Sequence, residues 1–340
     1  MSTERPVVLS APHPRTLDLI FSPEARARLH AAYDVVEAEP AAIGSLNDER
    51  LGSVRYILGQ PPIPADLLRR LRSLRCVFNV EGNLVGNMPY ETLFERGIHV
   101  VTTGAVFAEP VAEMGIALAL NLARGIIPAD EDFRRGREVW GRRSNEGARL
   151  LGGSDVGIIG FGDLGRALNR LLAGFRPRVR VYDPWLPPSI LVEHGTEPAS
   201  LDAVLSGSDF VFVMAAVTTE NRGFLAAPDF ARMREGAALI LLSRADAVDF
   251  DDLMEAVRSR RIVAASDVFP EEPLPLDHPV RSLDGFIRSA HRAGGLPSAL
   301  RRMGDMVLED MDLMDRGLPP MRCKRAERET ASRVRSKGVG

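Results

Sequence analysis

A short apolar run ending in Gly-x-Gly-x-x-Gly sits near the middle of this chain, as Val156-Gly157-Ile158-Ile159-Gly160-Phe161-Gly162-Asp163-Leu164-Gly165. An amphipathic helix pattern follows, with Leu164, Ala167, Leu168, Leu171 and Leu172 as its expected buried face. A second apolar run then ends at Asp183. Strand, glycine turn, helix and a strand closed by an acid form the layout of a dinucleotide-binding βαβ unit. In that layout Gly160 makes the tight turn and Gly162 lets backbone N–H groups approach a pyrophosphate. Gly165 lets the helix pack close to the sheet, and the helix N-terminus adds partial positive charge. Asp183 is suited to accept hydrogen bonds from both ribose hydroxyls of adenosine. Its carboxylate repels a 2′-phosphate, which predicts NAD rather than NADP. The competing reading is a surface Asp at a strand end before Pro184.

The motif begins so late that something of domain size must precede it. A length of 340 residues likewise exceeds what one core usually serves, so two domains are expected. A hydrophobic share of 45% and a charged share of 26% describe an ordinary globular chain. The net charge of −3 provides no basic field for nucleic acid or an anionic membrane. No apolar run is read as a membrane span, and the run after Pro6 is too short for a signal peptide. Cys76 and Cys323 lie far apart, which fits a reducing cytoplasm. Neither has a Cys or His at zinc-ligand spacing, so no metal is expected.

The first hundred residues alternate two patterns. Ser22-Pro23-Glu24 marks a helix start. Asp34–Val36, Val54–Leu58, Cys76–Val80 and Ile98–Val101 read as strands, and Ala65–Leu74 and Pro89–Arg96 as helices. Repeated β-then-α predicts a parallel sheet covered on both faces. Ala108–Arg124 predicts a long helix, buried on most sides, that passes to the next domain. From Val156 a second α/β series runs through Val179–Tyr182, Phe210–Val213, Ala238–Leu242 and Ile262–Ala265. Leu296–Met314 predicts a long helix returning to the first domain. The remaining tail is basic, with Arg322, Lys324, Arg325, Arg328, Arg333, Arg335 and Lys337, and reads as a solvated tail or a surface helix.

Three polar signals follow the motif, each beside a strand-like run: Arg244, Glu272 and His291. In doubly wound sheets the loops after strands line the ligand crevice. An Arg, a carboxylate and a His there suit hydride chemistry at a 2-hydroxy acid. At these residues the chain resembles the D-isomer-specific 2-hydroxyacid dehydrogenase family, over roughly residues 50 to 317. The resemblance rests on the glycine motif with Asp183, Arg244 with Val248-Asp249, Asp267-Val268-Phe269 with Glu272-Pro273, His291 with Ala293-Gly294, and Val111-Ala112-Glu113.

The resemblance implies a Rossmann-type NAD domain inserted into a flavodoxin-like substrate domain, both doubly wound parallel α/β sheets. The expected boundaries are 1–106 for the first part of the substrate domain, 107–299 for the NAD domain, 300–320 for the return helix and 321–340 for the basic tail. It implies His291 as acid–base catalyst, with Glu272 stabilising its imidazolium and raising its pKa. Arg244 would bind the substrate carboxylate and polarise the C2 oxygen. Asp267 would hold the nicotinamide carboxamide, and the backbone of Asp163 and Leu164 would meet the pyrophosphate. Leu242 is grouped with these cofactor residues. Gly82 and Asn83, in the substrate loop, would grip the substrate carboxylate. A homodimer is expected, with the long helices and the Trp140 region as its interface.

Some features depart from the family pattern. The substrate loop, Val80 to Asn87, is one residue longer than usual. It carries Glu81, which selects hydroxyl or cationic substrate groups if it points inward and otherwise faces solvent. Ala245 replaces the usual Gly after the Arg, and Leu241 replaces an Asn. The Pro common near the adenine pocket is replaced around Ala216-Val217-Thr218. His278 and Glu271 are the nearest decoys for His291 and Glu272, and His13, His30, His99 and His194 read as structural or solvated. One alternative is formate oxidation, but that branch pairs its His with Gln, against Glu272. The other is an NAD(H)-sensing binding protein of corepressor type on the same fold.

Overall fold

The computed structural model describes residues 5–333 apart from Asn83, Thr219 and Glu220. It divides into two compact units, Met1–Phe107 with Gly295–Gly340, and Ala108–Gly294. The second junction falls at Gly294-Gly295, five residues before the expected one, because the return helix already starts at Pro297.

In the first unit β1 (Val7–Ala11), β2 (Asp34–Glu37), β3 (Val54–Gly59), β4 (Cys76–Asn79) and β5 (His99–Thr102) pair in parallel, in the order β5-β4-β3-β1-β2. The order reverses direction between β1 and β3, the flavodoxin-like arrangement. Ser22 caps the helix Pro23–Ala32 by accepting from the Ala25 N–H at 3.1 Å. The next predicted helix is shorter than expected and ends at Arg70 rather than Leu74. Leu71 leaves helical geometry, and the Arg96 guanidinium donates to the open carbonyls of Leu68 and Leu71 at 2.6 and 2.7 Å.

The second unit carries β6 (Asp155–Ile159), β7 (Arg178–Tyr182), β8 (Glu197–Pro198), β9 (Phe210–Val213), β10 (Ala238–Leu241), β11 (Val263–Ser266) and β12 (Phe286–Arg288). All run parallel, in the order β12-β11-β10-β9-β6-β7-β8, which places β6 and its glycine turn at the switch point. The helix Ala108–Arg124 packs on β10, β11 and the helix Asp163–Leu172. Contrary to the sequence expectation, Gly104–Arg124 is long and apolar enough to cross a bilayer. Here Val111, Ala112, Leu118 and Ala119 are buried, so its apolarity serves the core. Half-buried Met114, Ile116, Leu120 and Leu122 leave it less enclosed than predicted. In the helix after the glycine turn Ala167, Leu168 and Leu172 are buried, but Leu171 is 37% exposed, on the flank of the apolar stripe.

The chain returns to the first unit as the helix Pro297–Asp315. Leu300, Met303, Val307 and Met311 pack with Phe21, Tyr56 and Phe78 in one core. Gly304 allows this approach, since a Cβ there would stand 2.6 Å from the Phe21 ring. The tail is not simply solvated. Asp310, 0% exposed, accepts from the backbone N–H groups of Met321, Arg322 and Cys323 at 2.6, 2.8 and 2.8 Å. That clamp delivers β13 (Lys324–Arg325), which pairs antiparallel with β5 and covers the sheet edge. The helix Arg328–Arg333 follows, and Arg335 and Lys337 lie outside the described residues.

Candidate active site

The cofactor half begins at the glycine turn. Gly160 has φ +90°, and a Cβ there would lie 2.5 Å from the Ala215 Cα, so only glycine fits. At Gly165 a Cβ would lie 2.4 Å from the Gly160 carbonyl oxygen, which is the close helix–strand contact the motif requires. A Cβ added at Gly162 would meet no other described residue within 4 Å, so the helix N-terminus with Asp163 and Leu164 has space for a phosphate group. Asp183 reaches back to this turn. One carboxylate oxygen accepts from the Phe161 N–H at 2.8 Å and the other from the Trp185 N–H at 3.0 Å. A carboxylate offers about four lone-pair sites, so two bonds leave capacity for ribose hydroxyls. These residues fit a dinucleotide.

The polar residues all stand at carboxyl ends of strands. Arg244 follows β10, half-buried, and its Nη1 donates to the Ser243 carbonyl at 2.7 Å, which orients the guanidinium. β11 runs beside β10 in register, Leu241 against Ser266, and ends there, directly before Asp267. Asp267 is 1% exposed, and its two carboxylate oxygens accept from the N–H groups of Arg292 and Ala293, each at 3.0 Å. Its carbonyl accepts from the His291 N–H at 2.7 Å. The observed work of Asp267 is therefore to clamp the loop that carries His291. That clamp holds His291 at φ +47°, a left-handed conformation that costs a non-glycine residue about 1–3 kcal/mol.

Glu272 and His291, nineteen residues apart, are brought together at 2.6 Å between Oε2 and Nδ1. The other Glu272 oxygen accepts from the Phe269 N–H at 2.9 Å, so both oxygens are directed. The side chains are 33% and 28% exposed, open enough to meet a small molecule. With Nδ1–H donated to the carboxylate, the ring presents Nε2 as its acceptor. The decoy His278 instead accepts from the Val280 N–H and lies edge-on to Phe250.

Gly82 belongs to the other unit, and Asn83 lies outside the described residues. Glu81 does not face solvent. It is 6% exposed and pairs bidentately with Arg15, at 3.0 Å for both bonds, because that guanidinium stands in its path. Sequence reasoning missed Arg15, whose partner is 66 positions away. It also missed Gly115, which makes room for Leu242, since a Cβ there would be 2.7 Å from the Leu242 Cδ1. A glycine inside an Ala- and Leu-rich helix was the available signal.

Comparison with known proteins agrees with this geometry. Residues 116–293 match the family model for the D-isomer specific 2-hydroxyacid dehydrogenase NAD binding domain. The chain is 31% identical over 265 residues to a glyoxylate reductase of Korarchaeum cryptofilum, covering 76% of this chain and 79% of that protein. It is 28% identical over 264 residues to a D-3-phosphoglycerate dehydrogenase of Archaeoglobus fulgidus, covering 77% of this chain but only 49% of that longer protein. A crystal structure described as a phosphoglycerate oxidoreductase from Rhizobium etli superposes with a TM-score of 0.90 at 68% identity, covering 96% of this chain and 100% of that one. The two parallel sheets, the glycine turn of an NAD-binding unit and these matches together mean that the chain belongs to the D-isomer specific 2-hydroxyacid dehydrogenase family.

Proposed function

We propose that this protein interconverts a D-2-hydroxy acid and its 2-oxo acid with NAD(H), using His291 as acid–base catalyst. The 2.6 Å contact between His291 Nδ1 and Glu272 Oε2 carries this reading. Bound NAD supplies the chemistry of hydride uptake from C2. His291 Nε2 takes the hydroxyl proton, and Glu272 stabilises the imidazolium that forms. In the reverse direction the imidazolium returns that proton to the C2 oxygen. Arg244 binds the substrate carboxylate and polarises the C2 oxygen through its guanidinium. Gly82 and Asn83 are assigned to substrate binding on the sequence resemblance alone. Asp183 selects NAD over NADP, Asp163 and Leu164 meet the pyrophosphate, and Leu242 and Asp267 complete the nicotinamide side.

The substrate class rests on the relatives, whose names point to glyoxylate and phosphoglycerate chemistry. We also propose a homodimer. Exposed Ile126, Ile127, Phe133, Val139, Trp140 and Leu150 cluster in one stretch of sequence, with Phe133 and Trp140 edge-to-face at 6.2 Å. Two free, buried cysteines favour the cytoplasm.

The test is a panel of 2-oxo acids differing in length, charge and phosphorylation, followed by NADH absorbance. His291→Ala should lower kcat by about 10²-fold or more, the scale of general acid–base catalysis. A loss under tenfold removes His291 from the role, and NADH binding without any turnover favours a sensor.

A further inference from the structure

The carboxyl ends of β1, β3 and β4 in the first unit carry a charge arrangement that the reaction above does not use. Arg15 stands on the turn after β1, Gln60 directly after β3, and Glu81 two residues after β4. Because the strand order reverses between β1 and β3, this edge is where an open α/β sheet receives ligands. Arg15 donates from Nε to one Glu81 oxygen and from Nη2 to the other, both at 3.0 Å. The side chains are 17% and 8% exposed. The Glu81 N–H donates to the Asn79 Oδ1 at 2.8 Å and to the Gln60 Oε1 at 3.3 Å. The Arg15 guanidinium lies 5.6 Å from the centre of the Phe107 ring, and that ring lies against Gly82. Backbone, side chain and ring thus brace the segment that leads into Gly82.

The Nε–Nη2 edge of an Arg is the fork that grips phosphate or carboxylate bidentately. Here an internal carboxylate already occupies it. An anionic substrate tail would have to displace Glu81 and leave that carboxylate buried without its partner, which is strongly unfavourable.

We propose that the Arg15–Glu81 pair is a selectivity device, in which Glu81 fills the guanidinium fork so that this rim accepts 2-oxo acids with an uncharged tail and disfavours a phosphate or second carboxylate. Glu81 is in addition a positioning residue for Gly82. The inference deepens the proposed function and rests on its assignment of the Gly82 segment to substrate. It departs from the phosphoglycerate name carried by the Rhizobium etli structure.

Two measurements on the full chain with NADH test it, comparing wild type, Glu81→Gln, and Glu81→Gln combined with Arg15→Gln. The first is the ratio of kcat/KM for hydroxypyruvate to that for 3-phosphohydroxypyruvate and for oxaloacetate. Wild type should favour hydroxypyruvate at least tenfold. Glu81→Gln, which releases the guanidinium, should move the ratio at least tenfold toward the anionic tails, and the double variant should return it. The second is calorimetric binding of inorganic phosphate, which needs no turnover. Glu81→Gln should bind it at least tenfold more tightly than wild type. A wild-type preference for the phosphorylated substrate, tight phosphate binding by wild type, or equal ratios and equal phosphate affinity in Glu81→Gln each overturn the proposal. A uniform loss on all substrates with the ratio unmoved assigns the pair to structure alone and overturns the selectivity. Failure of every 2-oxo acid to react would count against the redox reading, while phosphate binding would still decide this one.

Discussion

Replacing Glu272 by Gln keeps the shape of the side chain and removes one acceptor. The carboxylate serves two donors, the His291 Nδ1–H at 2.6 Å and the Phe269 N–H at 2.9 Å. A glutamine has one oxygen and one NH2 group, so it can satisfy only one of them. If the oxygen faces His291, the NH2 group confronts the Phe269 N–H. If the oxygen faces Phe269, the NH2 group donates to Nδ1, and the ring carries its proton on Nε2, where it cannot act as a base. The charge that stabilises the imidazolium is lost in both cases. A hydrogen bond to a charged group contributes about 1.5–3 kcal/mol. At about 1.36 kcal/mol per tenfold, kcat should fall by about 10- to 100-fold in both directions. Both side chains are about a third exposed, so the fold should tolerate the change with Tm shifted by no more than about 2 °C. Steady-state NADH absorbance in the two directions, with a melting curve on the same sample, measures this. A kcat within threefold of wild type in both directions would refute the reading that Glu272 sets the His291 tautomer.

Three further outcomes are expected. Gly160→Ala sets a Cβ 2.5 Å from the Ala215 Cα at φ +90°, so fluorescence titration should show at least a tenfold loss of NADH affinity together with a lower Tm. Asp310→Ala strips the acceptor from three backbone N–H groups; at about 1.5–3 kcal/mol for each bond to a charged group the cost should exceed about 3 kcal/mol by urea unfolding, and trypsin should cut sooner at Arg322–Arg325. His99 is held below its ordinary pKa by burial first and then by the charges of Arg325 and Arg75. The unfolded chain therefore binds the proton more readily. The His99 contribution to stability is fully present above about pH 6.5 and is lost as pH falls toward its folded value. Between pH 7 and 5 the Tm of wild type should consequently drop more than that of His99→Asn, and parallel curves would remove His99 from the acid response.

Much of the cofactor side could be read from sequence because its requirements are local. Gly160, Gly162 and Gly165 answer backbone approach within one turn, and Asp183 stands where the next strand must end. Glu272 and His291 could be picked out because the proposed chemistry calls for those residue types, and the structure brings them to 2.6 Å. What could not be read depends on distant partners. No spacing rule joins Arg15 to Glu81, or Asp310 to the three amides that turn a basic tail into an edge strand. β12 is only three residues long, below the length at which periodicity speaks. Gly304 and Gly115 stand inside helices, and only packing shows Phe21 and Leu242 as the reasons.

Asp267 shows how these two kinds of information meet. Its position after β11 was readable, but its side chain is almost wholly buried and both its oxygens are committed to the Arg292 and Ala293 amides. Those bonds are what keep His291 at φ +47°, where its ring meets Glu272. The clamp and the Glu272–His291 contact are therefore coupled: the conformational cost of the left-handed His, about 1–3 kcal/mol, is offset by two charge-assisted bonds of about 1.5–3 kcal/mol each. A loop without that surplus would lose the Glu272–His291 contact before its fold. The residue that positions His291, the proposed catalyst, is thus a buried one directly after the neighbouring strand.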